Sequence, residues 1–392
     1  MPNEDDDALN KARKLARFTT IYGPRRTLTK ALGRLRSVTA DVPALGRVTS
    51  TTASASLPRA AMIGCGQFAY ATMSYFLRDV ARVVTCFDID REAAVSLARA
   101  HTGCRVADEA AQAIAADDVD IVYIASNHAS HTDYAVAALA AGKDVYVEKP
   151  IAVSHMQLER LTAAVRSTSR RIACGYNRPF SAAVADLRAS VGVVAGPLTL
   201  SCFISGHQLG ADHWYRHPDE GTRVCGNVGH WLDLAVHMLG WRHLPDAWRI
   251  TAHWSNDDAR DDDVALTMTS DAGDLVSIVL TARTEPFEGI NESINVQWGE
   301  TIAKIDDFRR QTIWRGGRLT QRRYWPKDVG HGRAITQPFR AERRPWREVE
   351  DSTLLMLHIM EMVQSATPSS TFSFGEARAR LDAAVGEALR AQ

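Results

Sequence analysis

The 392-residue chain is long enough for two domains, and its composition, 45% hydrophobic and 23% charged, is typical of a globular protein with a sizeable core. A formal net charge of zero gives no reason to expect nucleic acid as a partner. No apolar run approaches the roughly 18 residues that cross a bilayer. Six cysteines without a C-x-x-C pair, and an acidic start unlike a signal peptide, predict reduced thiols in a cytoplasmic protein.

Residues 1–57 form a basic extension that does not fit the pattern of the rest of the chain. Apolar residues at positions 28, 31, 32 and 35 have helical spacing. The Ser-, Thr- and Ala-rich run at 49–56 is typical of a flexible linker. The excess of Lys and Arg fits contact with a partner, an anionic surface or a nucleotide sugar. We favour the simpler interpretation, a solvated arm or a helix packed on a neighbouring subunit.

A Gly-x-Gly-x-x-Ala motif follows the apolar run 60–63 and precedes an amphipathic segment. This order predicts a buried strand, a tight turn at Gly64 and a helix start. Gly66 has no Cβ, so a pyrophosphate can approach the main chain, and Ala69 allows close packing of helix and strand. The helix start would direct N–H groups and its positive dipole end at the anion. The candidate cofactor contacts here are Gly64, Cys65, Gly66, Gln67, Phe68 and Ala69.

The next apolar run, 82–87, ends at Asp88, about 20 residues after the glycines. A dinucleotide fold places at this position the carboxylate that accepts hydrogen bonds from the adenosine ribose. Its charge would repel a 2′-phosphate, so we expect NAD rather than NADP.

From residue 58 strands and helices alternate, which predicts a parallel sheet over 58–176. Strands are predicted near 60–64, 82–88, 119–125, 144–148 and 171–174, and helices near 67–79, 91–101, 108–116, 131–141 and 154–167. Ligands bind at the carboxyl ends of such strands. Further cofactor contacts are therefore expected from Ser126, Asn127, His131, Glu148 and Lys149.

Four segments together resemble the glucose–fructose oxidoreductase, inositol dehydrogenase and rhizopine catabolism (Gfo/Idh/MocA) family. They are Gly64-x-Gly-x-x-Ala69, Glu148-Lys149-Pro150, Gly175-Tyr176-Asn177-Arg178 and Gly229-His230-Trp231-Leu232-Asp233. The resemblance covers about 58–392. It implies a Rossmann domain, here 58–176, followed by an α/β domain with an open, mainly antiparallel sheet, here 177–392. It also implies that NAD(P) oxidises or reduces a sugar, cyclitol or related polyol.

The second part of the chain agrees with that architecture. Extended runs lie near 197–205, 248–255, 263–269, 275–283, 291–298, 301–306 and 310–315, and several alternate in polarity. The Arg-rich stretch 316–345 is predicted to be a loop or edge segment, and 351–365 and 375–391 to be closing helices. A sheet with one open face suggests a homodimer or homotetramer.

The stretch 206–223 is dense in polar and aromatic residues, the mixture that a sugar site needs. A surface loop with scattered His is the plainer alternative. With the family resemblance, the candidate substrate contacts are Lys149, Tyr176, Asn177, Arg178, His207, His213, Trp214, Arg223, Asn227 and His230. The plainer interpretation of Arg178 is a salt bridge.

Oxidation of a secondary alcohol requires loss of the hydroxyl proton, and an imidazole suits this because its pKa is near neutral. His230 matches the family's catalytic histidine. Lys149, which follows the predicted strand 144–148, would stabilise a developing alkoxide. The resemblance also implies a cis peptide bond before Pro150. Asp233 is the third catalytic candidate, to orient the ring or hold the helix.

Two positions depart from the family pattern. Many relatives have Asp four residues before the histidine, where this chain has Gly226, and others have Glu where this chain has Asn227. A carboxylate partner for His230 would then be absent or come from Asp212 or Asp233. Zinc would need three or four converging ligands. No tight ligand motif is present, and Lys149 would repel a cation, so no metal is expected.

The sequence therefore favours an NAD-dependent oxidoreductase acting on a sugar, nucleotide sugar or cyclitol. Two alternatives stay open. One is an NAD-dependent glycosidase of the same fold, which would hydrolyse substrate without net reduction of the cofactor. The other is a non-catalytic NAD-binding protein whose basic arm engages a partner.

Overall fold

The computed structural model describes residues 4–35, 56–193, 195–341 and 343–390. The predicted linker, except its last residue, lies outside these ranges. Within them, no helix combines the length and the apolar composition that a membrane crossing requires.

The chain begins with a helical hairpin, α1 (Glu4–Tyr22) and α2 (Pro24–Leu35). Phe18, Ile21 and Leu32 are buried. Leu32 packs with Tyr70 in the first domain, while the Trp325 indole of the second domain donates to the Thr20 carbonyl at 2.9 Å. The expected solvated arm is thus wrong for 4–35, because this apolar stripe packs on both domains of its own chain.

The first domain is a six-stranded parallel sheet with strand order β3-β2-β1-β4-β5-β6. Its strands are β1 (Arg59–Ile63), β2 (Arg82–Phe87), β3 (Arg105–Val106), β4 (Ile121–Ile124), β5 (Asp144–Val147) and β6 (Ile172–Cys174). Its helices are α3 (Ser74–Leu77), α4 (Arg91–Ala100), α5 (Ala110–Ala115), α6 (His128–Ala140) and α7 (His155–Arg166). The order reverses at β1, so the carboxyl ends of β1 and β4 frame a crevice of the kind where such sheets bind ligands.

The helix predicted at 67–79 is irregular: Ala69–Met73 is π-helical and only then does α3 begin. The Ser74 hydroxyl donates to the carbonyl of Ala69, five residues earlier, at 3.0 Å. A second π-helical turn, Val224–Val228, lies in the second domain directly before the helix that carries His230. Single π turns are frequent at functional sites.

The second domain contains a nine-stranded sheet in the order β14-β13-β12-β11-β7-β10-β9-β8-β15. All pairs are antiparallel except β7 with β10. The strands are β7 (Leu198–Ser205), β8 (Ala247–Trp254), β9 (Val264–Ser270), β10 (Leu275–Thr281), β11 (Asn291–Trp298), β12 (Thr301–Asp306), β13 (Arg310–Arg315), β14 (Arg318–Arg323) and β15 (Ser369–Ser373). The helices are α8 (Ala182–Val191), α9 (Gly229–Leu239), α10 (His331–Thr336), α11 (Trp346–Gln364) and α12 (Phe374–Arg390).

Side chains along this sheet alternate between buried and exposed, so one face builds the core under α8, α9 and α11 and the other is open. The predicted fold class, a Rossmann domain plus an α/β domain with an open, mainly antiparallel sheet, is confirmed. The stretch 316–345 contains the edge strand β14, as predicted, but also α10, which places a further imidazole near the candidate site.

Candidate functional site

The glycine turn after β1 has the shape that its motif predicts. Gly64 has φ +85°, and a Cβ there would lie 2.5 Å from the Ala125 carbonyl, so a larger residue would collide with the end of β4. At Gly66 a Cβ would meet nothing within 4 Å. The backbone is therefore open to close approach by a ligand, and a pyrophosphate fits this turn.

Asp88 lies beside the same turn. Its carboxylate accepts hydrogen bonds from the backbone N–H of Cys65 at 2.6 Å and from that of Asp90 at 2.9 Å. These bonds fix the charge at the end of β2, where the fold positions an adenosine ribose. The same negative charge disfavours a 2′-phosphate.

Ser126, Asn127 and His131 follow β4. Asn127 donates to the buried carboxylate of Glu220 in the second domain, and the Ser126 hydroxyl contacts that of Ser130 at 2.7 Å. The His131 ring is buried and its two nitrogens face the carbonyl oxygens of Pro150 and Ser126 at 2.8 and 3.1 Å. This imidazole therefore ties the end of β4 to the segment that follows Lys149.

Glu148 and Lys149 follow β5. The Tyr146 hydroxyl donates to Glu148 at 2.8 Å, and burial raises the pKa of the Glu148 carboxyl to about 7. The Lys149 ammonium donates to the carbonyl oxygen of Gly226 at 2.9 Å. The Lys149–Pro150 peptide bond is cis, as the resemblance implied.

His230 lies on α9, one π turn after Gly226. Its ring packs edge-on against Tyr176, with centroids 5.8 Å apart. Burial, followed by the positive charges of Arg178 and Lys149, lowers the pKa of His230 well below its usual value. Its Nδ1 atom is buried and has no hydrogen-bond partner among the described residues. A neutral imidazole with a free nitrogen is able to accept a proton.

In the part of the chain that the structure describes, no carboxylate forms a hydrogen bond with the His230 ring. The Asp233 carboxylate receives two hydrogen bonds from Arg344, at 2.9 and 3.0 Å, and one from Ser352. Asp212 is exposed and makes no hydrogen bond to His230. Asp233 thus holds α9 against α11 and the segment before it.

Aromatic rings occupy the space next to Gly226. A Cβ at this glycine would lie 2.4 Å from the Tyr215 ring and 2.9 Å from the His128 ring. The centroids of these two rings are 4.6 Å apart, and Trp214 is equally close to His128. The position where many relatives have Asp therefore has no room for a side chain here.

Tyr176, Asn177 and Arg178 connect the two domains. Arg178 forms a buried ion pair with Glu292 at 2.8 Å and stacks on Trp231. Asn177 donates to the Val329 carbonyl at 2.5 Å, and the Tyr176 hydroxyl contacts the Met356 sulfur at 3.3 Å. All three side chains are engaged in structural contacts, and Tyr176 also forms a wall beside His230.

The predicted contacts of the 206–223 loop separate into two groups. His213 and Trp214 stack on each other next to the His128 ring. Elsewhere, His207 pairs with Glu285 at 2.7 Å near the surface, and Arg223 is buried against Asp262 and Asn227 at 3.0 and 3.3 Å. The first group packs next to Gly226 through the His128 ring, while Arg223 contacts Asn227, the residue after Gly226.

Two imidazoles near the site were not predicted. His128 is buried between β4 and the 206–223 loop and contacts the Glu220 carbonyl at 3.0 Å. His331, at the start of α10, packs edge-on against Phe68 of the glycine turn at 5.7 Å. Its buried Nδ1 has no partner among the described residues. Burial, with nearby Arg26, Arg178 and Lys149, lowers the pKa of His331 well below its usual value.

The sequence contains one indication of His331, which stands between two glycines. In the structure Gly330 has φ +90°, and a Cβ on Gly330 would lie 2.0 Å from the Asn177 carbonyl oxygen. A His at such a constrained turn, within an Arg-rich stretch assigned to a loop, is easily overlooked.

Residues 58–176 match a family model described as an oxidoreductase family with an NAD-binding Rossmann fold. Over these residues the chain resembles the Gfo/Idh/MocA family. Inositol 2-dehydrogenase from Pseudomonas syringae is 33% identical over 136 residues, which are 34% of this chain and 40% of that protein. The enzyme of the same name from Ralstonia nicotianae is 32% identical over 184 residues, 45% and 51% of the two chains. The match thus spans about half the length of these relatives.

Solved structures of similar proteins extend the likeness to the second domain. A dehydrogenase from Chromobacterium violaceum superimposes with a TM-score of 0.69 and 20% identity, covering 80% of this chain and 96% of that one. GenD2 from gentamicin A biosynthesis, solved with NAD, gives a TM-score of 0.67 and 18% identity, covering 81% and 97%. At such identities these structures establish the fold alone.

Proposed function

We propose that this protein is an NAD-dependent oxidoreductase that acts on a hydroxyl or keto carbon of a polyol, with a cyclitol as the first candidate substrate. The observation that carries the proposal is that the Lys149 ammonium bonds to the Gly226 carbonyl, four residues before His230, and contributes to the lowered pKa of that imidazole. The names of the relatives, inositol 2-dehydrogenases, support the substrate class. The Asp88 carboxylate supports NAD over NADP.

In this proposal the dinucleotide lies on the turn at Gly64 and Gly66, with Asp88 toward its ribose and the ends of β4 and β5 toward its other half. When bound, NAD supplies the acceptor for a hydride. The protein must then stabilise charge on the substrate oxygen and remove its proton.

Lys149 is suited to the first task. An ammonium has three N–H donors, and the bond to the Gly226 carbonyl uses one of them. The remaining donors are available to a substrate oxygen as it acquires negative charge. His230 is assigned the second task because it matches the family's catalytic histidine. Burial and the nearby cations lower its pKa, which keeps the ring neutral but also makes it a weaker base, so negative charge on the substrate oxygen would have to favour its protonation. In the reverse direction it would return the proton.

The test is the absorbance of reduced nicotinamide during incubation of the protein with NAD and a panel of inositols, free sugars and nucleotide sugars. We expect an increase with a cyclitol or a sugar, and at least a 10²-fold slower rate for His230→Asn. A flat trace with every substrate, in a protein that demonstrably binds NADH, would contradict the proposal.

A second candidate is an NAD-binding protein without turnover. The observation that favours it is the packing of Tyr215 and His128 over Gly226, where many relatives have a carboxylate. Product analysis of the same incubations separates it from a glycosidase, because the glycosidase would release free sugar while the absorbance stays constant.

We further propose that the protein self-associates through the open face of the second sheet. Phe203, Ile302, Trp314 and Leu319 are 43–53% exposed there. Sedimentation of the wild type against Trp314→Lys tests this, since a dimer should become a monomer. Cytoplasmic placement also stays a prediction, supported by six cysteines that are all free thiols.

A further inference from the structure

A cavity of about 640 Å³ lies where the N-terminal hairpin meets both domains. Its walls are formed by the end of α1 and start of α2, by the helix that follows the glycine turn, and by the segment 323–340. No residue of the glycine turn and neither Asp88 nor Lys149 lines it. It is therefore separate from the proposed cofactor site, and its size is that of a small-molecule site.

Positive charge dominates this cavity. Five cationic side chains line it, against two carboxylates, Asp79 and Asp328; the cations are Arg26, Arg323, Lys327, Arg333 and Arg340. Both carboxylates are already engaged, Asp79 with Arg78 and Asp328 with Arg333. Lys327 pairs with Asp307 at 2.5 Å.

Three guanidinium groups remain without a carboxylate. Within the described ranges, Arg26, Arg323 and Arg340 form no ion pair. The Arg340 guanidinium donates to the Thr336 hydroxyl at 2.9 Å. Guanidinium groups without a paired carboxylate bind phosphate or carboxylate well, because their paired N–H donors match two oxygens of the anion.

Arg26 is the most informative of the three. Its guanidinium lies over the rings of Tyr22 and Phe76, with centroids 5.1 and 5.2 Å away. Burial lowers the pKa of Arg26, and one turn later burial and neighbouring cations lower the pKa of Lys30 to about 8. The hairpin thus brings positive charge into a partly buried place. The nearby carboxylate of Asp328 offsets part of it but is already paired with Arg333, so an anionic ligand would supply further negative charge.

The remaining walls are aromatic. Tyr22, Tyr75, Phe76, Tyr324 and Trp325 line the cavity, and Trp325 is 67% exposed. Such rings offer stacking surfaces to a planar group. The combination of guanidinium groups and rings distinguishes this cavity from a site for a bare inorganic anion.

We infer that this cavity binds a nucleotide, with its phosphates on Arg26, Arg323 and Arg340 and its base against the aromatic wall. This role explains the basic extension, which the oxidoreductase chemistry leaves without a purpose. The cavity includes none of Gly64, Gly66, Asp88, Lys149 and His230, so its occupancy can be tested separately from the proposed function. It adjoins the candidate active site through His331, which lines the cavity and packs against Phe68.

The test is calorimetric titration of ADP and, separately, of inorganic pyrophosphate into protein saturated with NADH. NADH occupies the glycine turn, so heat beyond dilution reports a second site, and the NADH titration itself shows whether the cofactor site is intact. We expect one ADP per chain, bound at least tenfold more tightly than pyrophosphate.

The variants are Arg26→Met and the pair Arg323→Gln with Arg340→Gln, each expected to weaken ADP at least tenfold. Arg25→Met is the matched control, because Arg25 is an exposed neighbour on α2 outside the cavity. Arg26 packs on Tyr22 and Phe76, so Arg26→Met could disturb the hairpin itself. The glutamine substitutions at Arg323 and Arg340 lie outside the hairpin and test the cavity without that risk. Absence of ADP binding, unchanged affinity in both variants, or equal affinity for ADP and pyrophosphate would overturn the inference.

Discussion

The Lys149 ammonium and the Gly226 carbonyl oxygen are 2.9 Å apart. This bond joins the carboxyl end of β5 in the first domain to the π-helical turn before α9 in the second. The proposed proton acceptor, His230, begins its helix immediately after that turn. The ammonium is therefore positioned by a backbone carbonyl of the second domain.

Replacement of Lys149 by Met should abolish most of the turnover and leave the cofactor in place. We expect kcat to fall about 10²- to 10³-fold, the usual loss when one donor to a developing oxyanion is removed. The measurements are kcat with the best substrate of the panel and NADH affinity by fluorescence. Lys304→Met, on the exposed side of β12, is the control. Equal kcat in both variants would remove Lys149 from the mechanism.

A methyl group at Gly226 should disturb the same site. In Gly226→Ala the new Cβ would lie 2.4 Å from the Tyr215 ring, and overpacking of this kind costs about 1–3 kcal/mol. We expect a lower thermal midpoint and at least a tenfold lower kcat/KM. Adding Tyr215→Ala should restore the midpoint, since it removes the ring that the methyl group meets.

Gly210→Ala is the matched control for Gly226→Ala and for the double variant with Tyr215→Ala. Gly210 lies in the same 206–223 loop, and a Cβ there meets nothing within 4 Å. We expect an unchanged midpoint and unchanged kinetics. If Gly226→Ala behaved like Gly210→Ala, the tight contact between the loop and the π turn would not exist in solution.

Local motifs account for what the sequence could predict of this site. The Gly64 turn, the strand end at Asp88 and the position of Lys149 each follow from a few consecutive residues whose pattern has one physical interpretation. Five of the six strands in the first domain follow for the same reason, whereas β3, only two residues long, was not predicted. For the second domain the sequence predicted most strands but not β15, which is short and pairs with β8 over 100 residues away in sequence.

The partners of the candidate side chains could not be predicted. In the sequence, an Arg178 that binds substrate cannot be distinguished from one that forms an ion pair. Its partner Glu292 is 114 residues away. Asp233 and Arg344 are 111 residues apart. Side-chain pairing across such separations depends on the packing of whole elements, which one sequence does not reveal.

His331 provides a test that separates catalysis from folding. The His331 ring is buried beside Phe68 of the glycine turn, and burial with the charges of Arg26, Arg178 and Lys149 lowers its pKa. We expect His331→Phe to reduce kcat/KM about tenfold while stability stays the same or rises. His237→Phe is the contrast, because His237 contacts Glu348 at 2.8 Å and its loss should lower stability. A destabilised His331→Phe protein with normal kinetics would show a structural role.

Stability should decrease as the pH falls from about 6.5 to 4. Burial lowers the pKa of His101 and of His131 to about 4, whereas an unfolded histidine titrates near 6.5. In this window the unfolded chain binds more protons, so each histidine weakens the fold by up to about 1.4 kcal/mol per pH unit. Glu148, whose pKa burial raises to about 7, opposes them between about pH 4.5 and 7, and burial also raises the pKa of the Asp233, Asp307 and Glu350 carboxyls. The lowered pKa values of His128, His230 and His331 act in the same direction as those of His101 and His131.

The measurement is the urea midpoint as a function of pH for the wild type and His101→Gln, which keeps a donor toward the Ser74 hydroxyl, 2.9 Å from the ring. We expect a shallower decrease below pH 6 in the variant. His243→Gln, at an exposed position, should follow the wild-type curve. Parallel curves for all three proteins would show that His101 does not contribute to the acid sensitivity.

The ion pair between Arg178 and Glu292 should be the most expensive contact at the domain junction to break. Both side chains are nearly inaccessible, at 6% and 2% exposure, and the Trp231 indole also donates to Glu292 at 2.8 Å. Arg178→Met would leave a buried carboxylate with only that neutral donor, which typically costs about 3–5 kcal/mol.

Arg105→Met is the control, because it breaks a surface ion pair. The side chains of Arg105 and its partner Asp118 are 56% and 39% exposed, so the loss should be at most about 1 kcal/mol. Urea unfolding followed by tryptophan fluorescence measures both, and a loss for Arg178→Met no larger than for Arg105→Met would contradict the buried pair. Glu292→Gln added to Arg178→Met should recover part of the loss, because it removes the unpaired charge and keeps an oxygen for the indole.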